Sequence, residues 1–213
     1  MQDAVNAAPI DLEKLRATPV STDPFAHLIV PGFLRAEARE AVEADYPKID
    51  RPGSIPLFST KSGPAFQAMI DALRGPAMAQ AMSEKFDLDL TGRPTMVTVR
   101  ARCRAKDGQI HTDSKGKLVT VLLYMNGGWD AEGGRLRLLR GPDDLDDYAA
   151  EVPPDAGTLL AFKCTSDAWH GHKPFEGPRR AIQLNWVVDE SYLRREQRRH
   201  GVSAFFKKLR FAS

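Results

Sequence analysis

His111 and Asp113 stand two residues apart in QIHTDSKGKLVTVLLYMN (109–126), just ahead of an apolar run at 118–125. The Val, Leu, Thr and Tyr content of that run predicts a buried strand. In extended backbone, residues i and i+2 share a face, so this imidazole and carboxylate can close on one cation without a special loop. A third arm stands downstream in SDAWHGHKPFEGPRRAIQLNWV, where His170 and His172 precede a second apolar strand at 181–188. Two imidazoles and a carboxylate fill one face of an octahedron and leave three adjacent positions open, the donor set on which non-haem Fe(II) handles dioxygen. Spacing alone leaves both His170 and His172 eligible as the third ligand, since they too share a face.

The order of these pieces carries a resemblance. HTD, the long strand ending in YMN, GGRLRLL, DAGTLLAF and then WHGHKPFEGPRRAIQLNW together resemble the 2-oxoglutarate- and Fe(II)-dependent dioxygenases, in particular their prolyl-4-hydroxylase-like branch. The likeness covers roughly 97–188, with a weaker echo in DPFAHLIVPGFLRAEAREAVEADYP near the start.

The resemblance implies roles. Its spacing of nine or ten residues between the distal histidine and an R-x-[AS] strand start selects His170 as the third metal ligand, because Arg179 follows it by nine. His172 is then left a supporting or pocket-wall role. Arg179 is preferred over Arg180 because it shares a strand face with Ala181, and its guanidinium would take the far carboxylate of 2-oxoglutarate through two parallel hydrogen bonds. Tyr124 matches a family tyrosine whose hydroxyl donates to that same carboxylate; a plain core tyrosine is the competing reading. A carboxylate at 113, where halogenating members carry a small residue, favours hydroxylation. The implied cofactor is Fe(II), with 2-oxoglutarate and O2 as cosubstrates and ascorbate admitted as an auxiliary reductant. The implied reaction is hydroxylation of an unactivated C–H bond of a peptidyl proline or a small-molecule or sugar acceptor, releasing succinate and CO2.

Composition excludes several other classes. The chain has 213 residues, 42% of them apolar, which suits one domain with a sizeable core. Thirty basic residues against 28 acidic ones leave a net charge of +2, too little to commit the whole surface to nucleic acid or membrane. Cys103 and Cys164 form neither a CxxC pair nor a disulfide framework. No run has signal-peptide or membrane-spanning character, so the expectation is a soluble protein of the reducing cytoplasm.

Periodicity predicts a lightly ordered lead-in at 1–22, a short strand at 25–33, a helix at 35–45 and a Pro-, Gly- and Ser-rich loop at 50–63. A second helix starts at Gly63-Pro64, with Phe66, Met69, Ile70 and Leu73 on one face, and a third covers 78–86. Beyond Pro94 the pattern turns to strands at 95–104, 117–126, 134–139, 157–162, 170–174 and 180–188. The fold class read from this is α+β, mainly β: a double-stranded β-helix, or jelly roll, with the N-terminal helices on one outer face. One such domain would occupy 23–190, followed by a basic C-terminal helix or tail at 191–213.

Several features stay open at this level. Gly133-Gly134 reads as a tight turn into the next strand, and Leu136 and Leu138 as barrel lining. Arg100, Arg102 and Arg104 alternate along one strand and read as an exposed charged face, with presentation of charge to an anionic substrate as the alternative. Trp169 and Trp186 read as core. The tail, with Phe205, Phe206, Leu209 and Phe211 among basic residues, suits an anionic surface, a homodimer contact or docking on its own domain. No nucleic-acid module is present: the arginine-rich signature of demethylating relatives is missing after the distal histidine. A metal- or 2-oxoglutarate-binding sensor without catalysis is the alternative from another class, and a full triad with its arginine speaks against it. A cupin-like hydrolase or isomerase would call on more histidines near His111 than the sequence supplies, since the others, His27 and His200, are far away.

Overall fold

The computed structural model describes residues 8–198. Of the expected basic tail at 191–213, residues 191–198 are described, and the rest, including Phe205, Phe206, Leu209 and Phe211, lies outside the described residues. Among the described residues ahead of 95, four helices interleave with two short strands: α1 Leu12–Ala17, α2 Ala36–Ala44, α3 Pro64–Arg74 and α4 Pro76–Phe86. Nine strands follow the order β1 His27–Val30, β2 Ile55–Pro56, β3 Thr95–Cys103, β4 Lys117–Tyr124, β5 Leu136–Leu139, β6 Tyr148–Val152, β7 Leu159–Lys163, β8 His170–Gly171 and β9 Gly177–Val187.

The strands make two antiparallel sheets. The larger runs β1-β7-β4-β9-β3-β2 and the smaller β6-β5-β8. This is the expected jelly roll. Alternation along the strands divides the large sheet into two faces. Its outer face, with Val121, Leu123, Leu184 and Trp186, packs in one core with Phe66, Met69, Ile70 and Leu73 of α3 and Met78, Met82 and Phe86 of α4. Its inner face forms a second cluster with the small sheet, where Tyr124, Leu160, Phe162 and Ala181 meet Leu136, Leu138 and Val152.

Helices α3 and α4 form where the sequence predicts because each begins with Pro at its first position and carries an apolar stripe at helical spacing. Three expectations change. The lead-in segment contains α1, capped by Asp11, whose side chain accepts from the Lys14 amide at 3.0 Å, and Ile10 and Leu15 are buried. One buried leucine in six helical residues is too little period to read from sequence. Strand β6 lies in an acidic stretch with no strand signature; its pairing with β5, Leu136 opposite Val152, creates it. Half of the 50–63 loop is less irregular than expected, since β2 pairs with β3 and a single 3-10 turn, Leu57–Ser59, follows.

Trp186 is core as expected, whereas Trp169 is only half-buried. Residues 190–198 are helical and rest on the domain, with Tyr192 buried and its hydroxyl 2.5 Å from Ser114 Oγ.

Candidate active site

The loop segment that carries His111 and Asp113 and the short β8 are tied together by an isolated backbone bridge before any side chain is considered. His111 and His170 exchange backbone hydrogen bonds, each N–H donating to the other's carbonyl at 3.0 Å. Their rings are thereby held 4.3 Å apart, centroid to centroid. Asp113 joins them, and one ligand atom from each of His111, Asp113 and His170 lies within 4.8 Å of the others. That grouping can hold one metal ion.

The ring nitrogens are already assigned. His111 Nδ1 lies 2.8 Å from the Gln109 carbonyl, and His170 Nδ1 lies 2.9 Å from that of Ala168. A carbonyl accepts only, so Nδ1 must carry the proton, and Nε2 is left with its lone pair for a cation. His170 is buried, and burial followed by the neighbouring His111 lowers its pKa to about 4, so it is neutral at pH 7. Asp113 is the anion of the set. Burial alone would raise its pKa, but the Lys117 ammonium, 2.6 Å from Oδ1, with His170 and the Thr120 hydroxyl, holds it below the ordinary value.

A directed hydrogen-bond chain supports Asp113 from the sheet. Gln183 donates to Asn185 at 3.2 Å, Asn185 donates to Thr120 Oγ1 at 2.6 Å, and Thr120 donates to Asp113 Oδ2. Each carboxylate oxygen spends one lone pair in this way and keeps another for a metal. The sequence reading did not single out Lys117, Thr120, Gln183 or Asn185. Its available signal was the alternation of Thr120 with Tyr124, and of Gln183 with Asn185, as polar residues on one face of otherwise apolar strands.

Arg179 and Tyr124 lie inside the same barrel. Arg179 is buried, its Nε donates to the Gly134 carbonyl at 2.7 Å, and its guanidinium carbon stands 5.4 Å from the Tyr124 ring centroid. Gly134 has φ +79°, so the predicted glycine turn is what aims this carbonyl at the arginine. The Tyr124 hydroxyl is fully buried with no hydrogen-bond partner among the described residues, and burial raises its pKa. A buried, unsatisfied hydroxyl costs free energy unless a ligand takes it. Arg180 is exposed on the neighbouring face.

His172 is buried beside the metal group, and its Nδ1 donates to the Lys173 carbonyl at 2.8 Å. Burial, then the charges of Arg179 and Arg100, lowers its pKa to about 4. A cavity of about 120 Å³ opens over the group, lined by His111, Asp113, His170, His172 and Arg179 with Leu122, Leu136 and Ala181. Arg100 lines it as well, which corrects the reading of Arg100, Arg102 and Arg104 as one exposed face. Arg100 faces the cavity and Arg102 is exposed; the two flank a β3–β9 register shift at which β9 advances three residues, Pro178 to Ala181, against two on β3.

Residues 100–188 match the family model of the 2OG-Fe(II) oxygenase superfamily. No curated protein sequence matches the chain. Among solved structures, a prolyl-4-hydroxylase from Pseudomonas putida aligns with a TM-score of 0.52 at 19% identity, over 83% of this chain and 90% of that one. A prolyl 4-hydroxylase from Phytophthora capsici aligns with a TM-score of 0.55 at 19% identity, over 86% of this chain and 67% of that one. HygX from Streptomyces hygroscopicus, solved with nickel and 2-oxoglutarate bound, aligns with a TM-score of 0.55 at 13% identity, over 78% and 83%. The matched family and these fold neighbours agree with the resemblance seen in the sequence motifs: 2OG-dependent oxygenases, prolyl-4-hydroxylase-like among them.

Proposed function

We propose, from the premise that residues 100–188 carry a 2OG-Fe(II) oxygenase match, that this chain is an Fe(II)- and 2-oxoglutarate-dependent dioxygenase that hydroxylates an unactivated C–H bond. The observation that carries the reading is the pairing of two features in one barrel. His111, Asp113 and His170 present converging ligand atoms, and beside them Arg179 accompanies a buried Tyr124 hydroxyl that lacks a hydrogen-bond partner among the described residues. The first feature suits a divalent metal and the second suits a carboxylate.

When bound, Fe(II) and 2-oxoglutarate supply the redox chemistry, in which O2 is consumed, succinate and CO2 are released and a hydroxyl reaches the acceptor. The chain's residues do the holding. His111 and His170 offer Nε2, fixed by their carbonyl partners, and Asp113 offers the one negative charge. Arg179 and Tyr124 donate to the distal carboxylate of the keto acid. Leu122, Leu136 and Ala181 line the cavity with apolar surface that keeps bulk water away. His172, neutral and buried, serves as pocket wall and adds no positive charge beside the metal. Ascorbate is an auxiliary reductant in this reading.

The acceptor class remains peptide or small molecule. Both cysteines are free, and no helix among the described residues is long and apolar enough to cross a membrane; a reducing cytoplasm, which keeps iron ferrous, is the compartment this reading assigns. The single domain is taken to span 23–190, with the basic tail as an additional contact surface for a second copy or an anionic partner.

The test is an anaerobic titration of metal-free protein with Fe(II) and then 2-oxoglutarate, followed in the visible range. A weak charge-transfer band from keto acid chelating iron, lost in Arg179→Ala, is the expected result. Iron binding without the band would turn the protein into a metal-binding module.

A further inference from the structure

Beyond the metal group and the Arg179 pocket, the cavity has a polar wall to which the oxygenase reading gives no contact with iron or 2-oxoglutarate; of its members Gln183 alone is already engaged, as the outer donor of the chain to Asp113. Ser54 from the loop before β2, Thr98 and Arg100 from β3, and Gln183 from β9 all line it. Thr98 and Gln183 are register partners, as are Arg100 and Ala181, so these side chains stand together across one strand pair. A positive charge on the wall of a small cavity is costly to leave without compensation.

Compensation for Arg100 is partial. Its Nη1 donates to Asp107 Oδ2 at 3.0 Å and its Nη2 to Ser54 Oγ at 3.1 Å. The same Asp107 carboxylate is shared with Arg104, through contacts at 3.0 and 3.3 Å to Oδ1. Two guanidinium groups against one carboxylate leave one net positive charge. The turn that carries Asp107 is in turn fixed against the site: His172 donates its amide to the Gly108 carbonyl at 2.9 Å, and a Cβ on Gly108 would fall 2.3 Å from the His172 ring. Neutral His172 contributes no compensating charge on that side. Asp113, the carboxylate that lines the cavity, is already paired with Lys117.

We infer that Arg100 is the specificity-determining residue for the acceptor, and that the acceptor is a small molecule bearing a free carboxylate, which Arg100 binds with help from Ser54, Thr98 and Gln183. The inference rests on the oxygenase reading and narrows its substrate class. A single uncompensated positive charge matches a carboxylate monoanion better than a phosphate carrying nearly two charges. A guanidinium plane matches a carboxylate in geometry. A peptidyl proline, whose carboxyl group is tied up in an amide, offers no such anion to the half-buried Arg100 guanidinium.

The experiment uses the full chain loaded anaerobically with Fe(II) and saturating 2-oxoglutarate. The probes are matched pairs of free L-amino acids and their primary amides, with L-proline, L-glutamate and L-leucine as the acids, an O-phosphorylated member, L-phosphoserine, and a proline-containing peptide blocked at both ends. Two readouts are taken: the perturbation of the charge-transfer band on probe binding, and the probe-dependent rise in succinate release once O2 is admitted. An acid is expected to perturb the band and to have a KM roughly tenfold or more below that of its amide. Arg100→Gln should raise the KM of the acid to that of its amide while changing kcat far less, and Arg100→Lys should restore part of the preference. Arg104→Gln, which leaves the whole Asp107 carboxylate to Arg100 and so cancels the net positive charge, should weaken the preference for the acid, but less than Arg100→Gln does because the guanidinium on the cavity wall remains.

Equal action of acids and amides, preference for the blocked peptide or the phosphorylated member, no response to any acid, or an unchanged ratio in Arg100→Gln would each overturn the inference while the band in the wild-type chain leaves the enzyme reading standing. Absence of the band in the wild type would instead remove the enzyme reading, and this inference with it.

Discussion

His111 and His170 each donate a backbone N–H to the other's carbonyl, at 3.0 Å in both directions. Residues 59 positions apart in sequence are thus fixed as neighbours by main chain alone. The spacing of the two imidazoles does not depend on a cation being present, and metal binding need not be coupled to folding.

The first prediction follows from that bridge. Removal of a ligand side chain leaves the bridge intact, so His111→Ala, Asp113→Ala and His170→Ala should remain folded but lose Fe(II) affinity by more than the roughly 10–100-fold that loss of a supporting partner costs. His172→Ala should retain metal. Calorimetric titration with Fe(II) or Mn(II) decides, and a His172→Ala variant that fails to bind while His170→Ala binds would reverse the assignment of the distal ligand.

Tyr124→Phe separates binding from stability. Its hydroxyl has no hydrogen-bond partner among the described residues, so its removal should leave the thermal midpoint unchanged or slightly higher. In contrast, 2-oxoglutarate affinity should fall roughly tenfold, as expected for loss of a hydrogen bond to a charged group. Arg179→Lys should weaken it as well, because an ammonium cannot reproduce the planar fork. Loss of stability in Tyr124→Phe without loss of 2-oxoglutarate binding would return this residue to the core.

Thr120→Val tests the chain from Gln183 to Asp113. The substitution preserves shape but removes the donor to Asp113 Oδ2 and the acceptor for buried Asn185. Stability should fall by roughly 1–3 kcal/mol from the unsatisfied Asn185, and metal affinity by roughly 10–100-fold from the freed carboxylate. Asn185→Leu in the same background should recover stability without recovering metal affinity; chemical denaturation and metal titration read the two separately.

The metal-free protein should be acid-sensitive in a defined window. His170 and His172 have pKa values near 4 in the fold against roughly 6.5 when unfolded. The unfolded chain therefore binds more protons between these values, so stability is fully present above pH 6.5 and is lost as pH falls towards 4. Urea midpoints measured across this range in a chelator should show a slope of up to two protons from this pair, and His172→Gln should remove one. A midpoint flat from pH 6.5 to 4 would contradict neutral burial of both rings.

The sequence by itself determined most of the framework. Alternating strands after Pro94, Pro-initiated helices before it and the HTD motif were legible because they are local, set by period, capping and the shared face of i and i+2. Motif resemblance led to His170 and Arg179, and the tertiary structure brings His170 to His111 and Asp113, and Arg179 to Tyr124. What only the fold decided depends on contacts between distant segments. Strand β6 exists because β5 pairs with it. Lys117, Thr120 and Asn185 matter because β4 and β9 lie side by side next to the loop that carries Asp113. The division between Arg100, which lines the cavity, and Arg102, which is exposed, falls at a β3–β9 register shift whose extra residue lies on β9, a partner strand about which an alternating run of arginines says nothing.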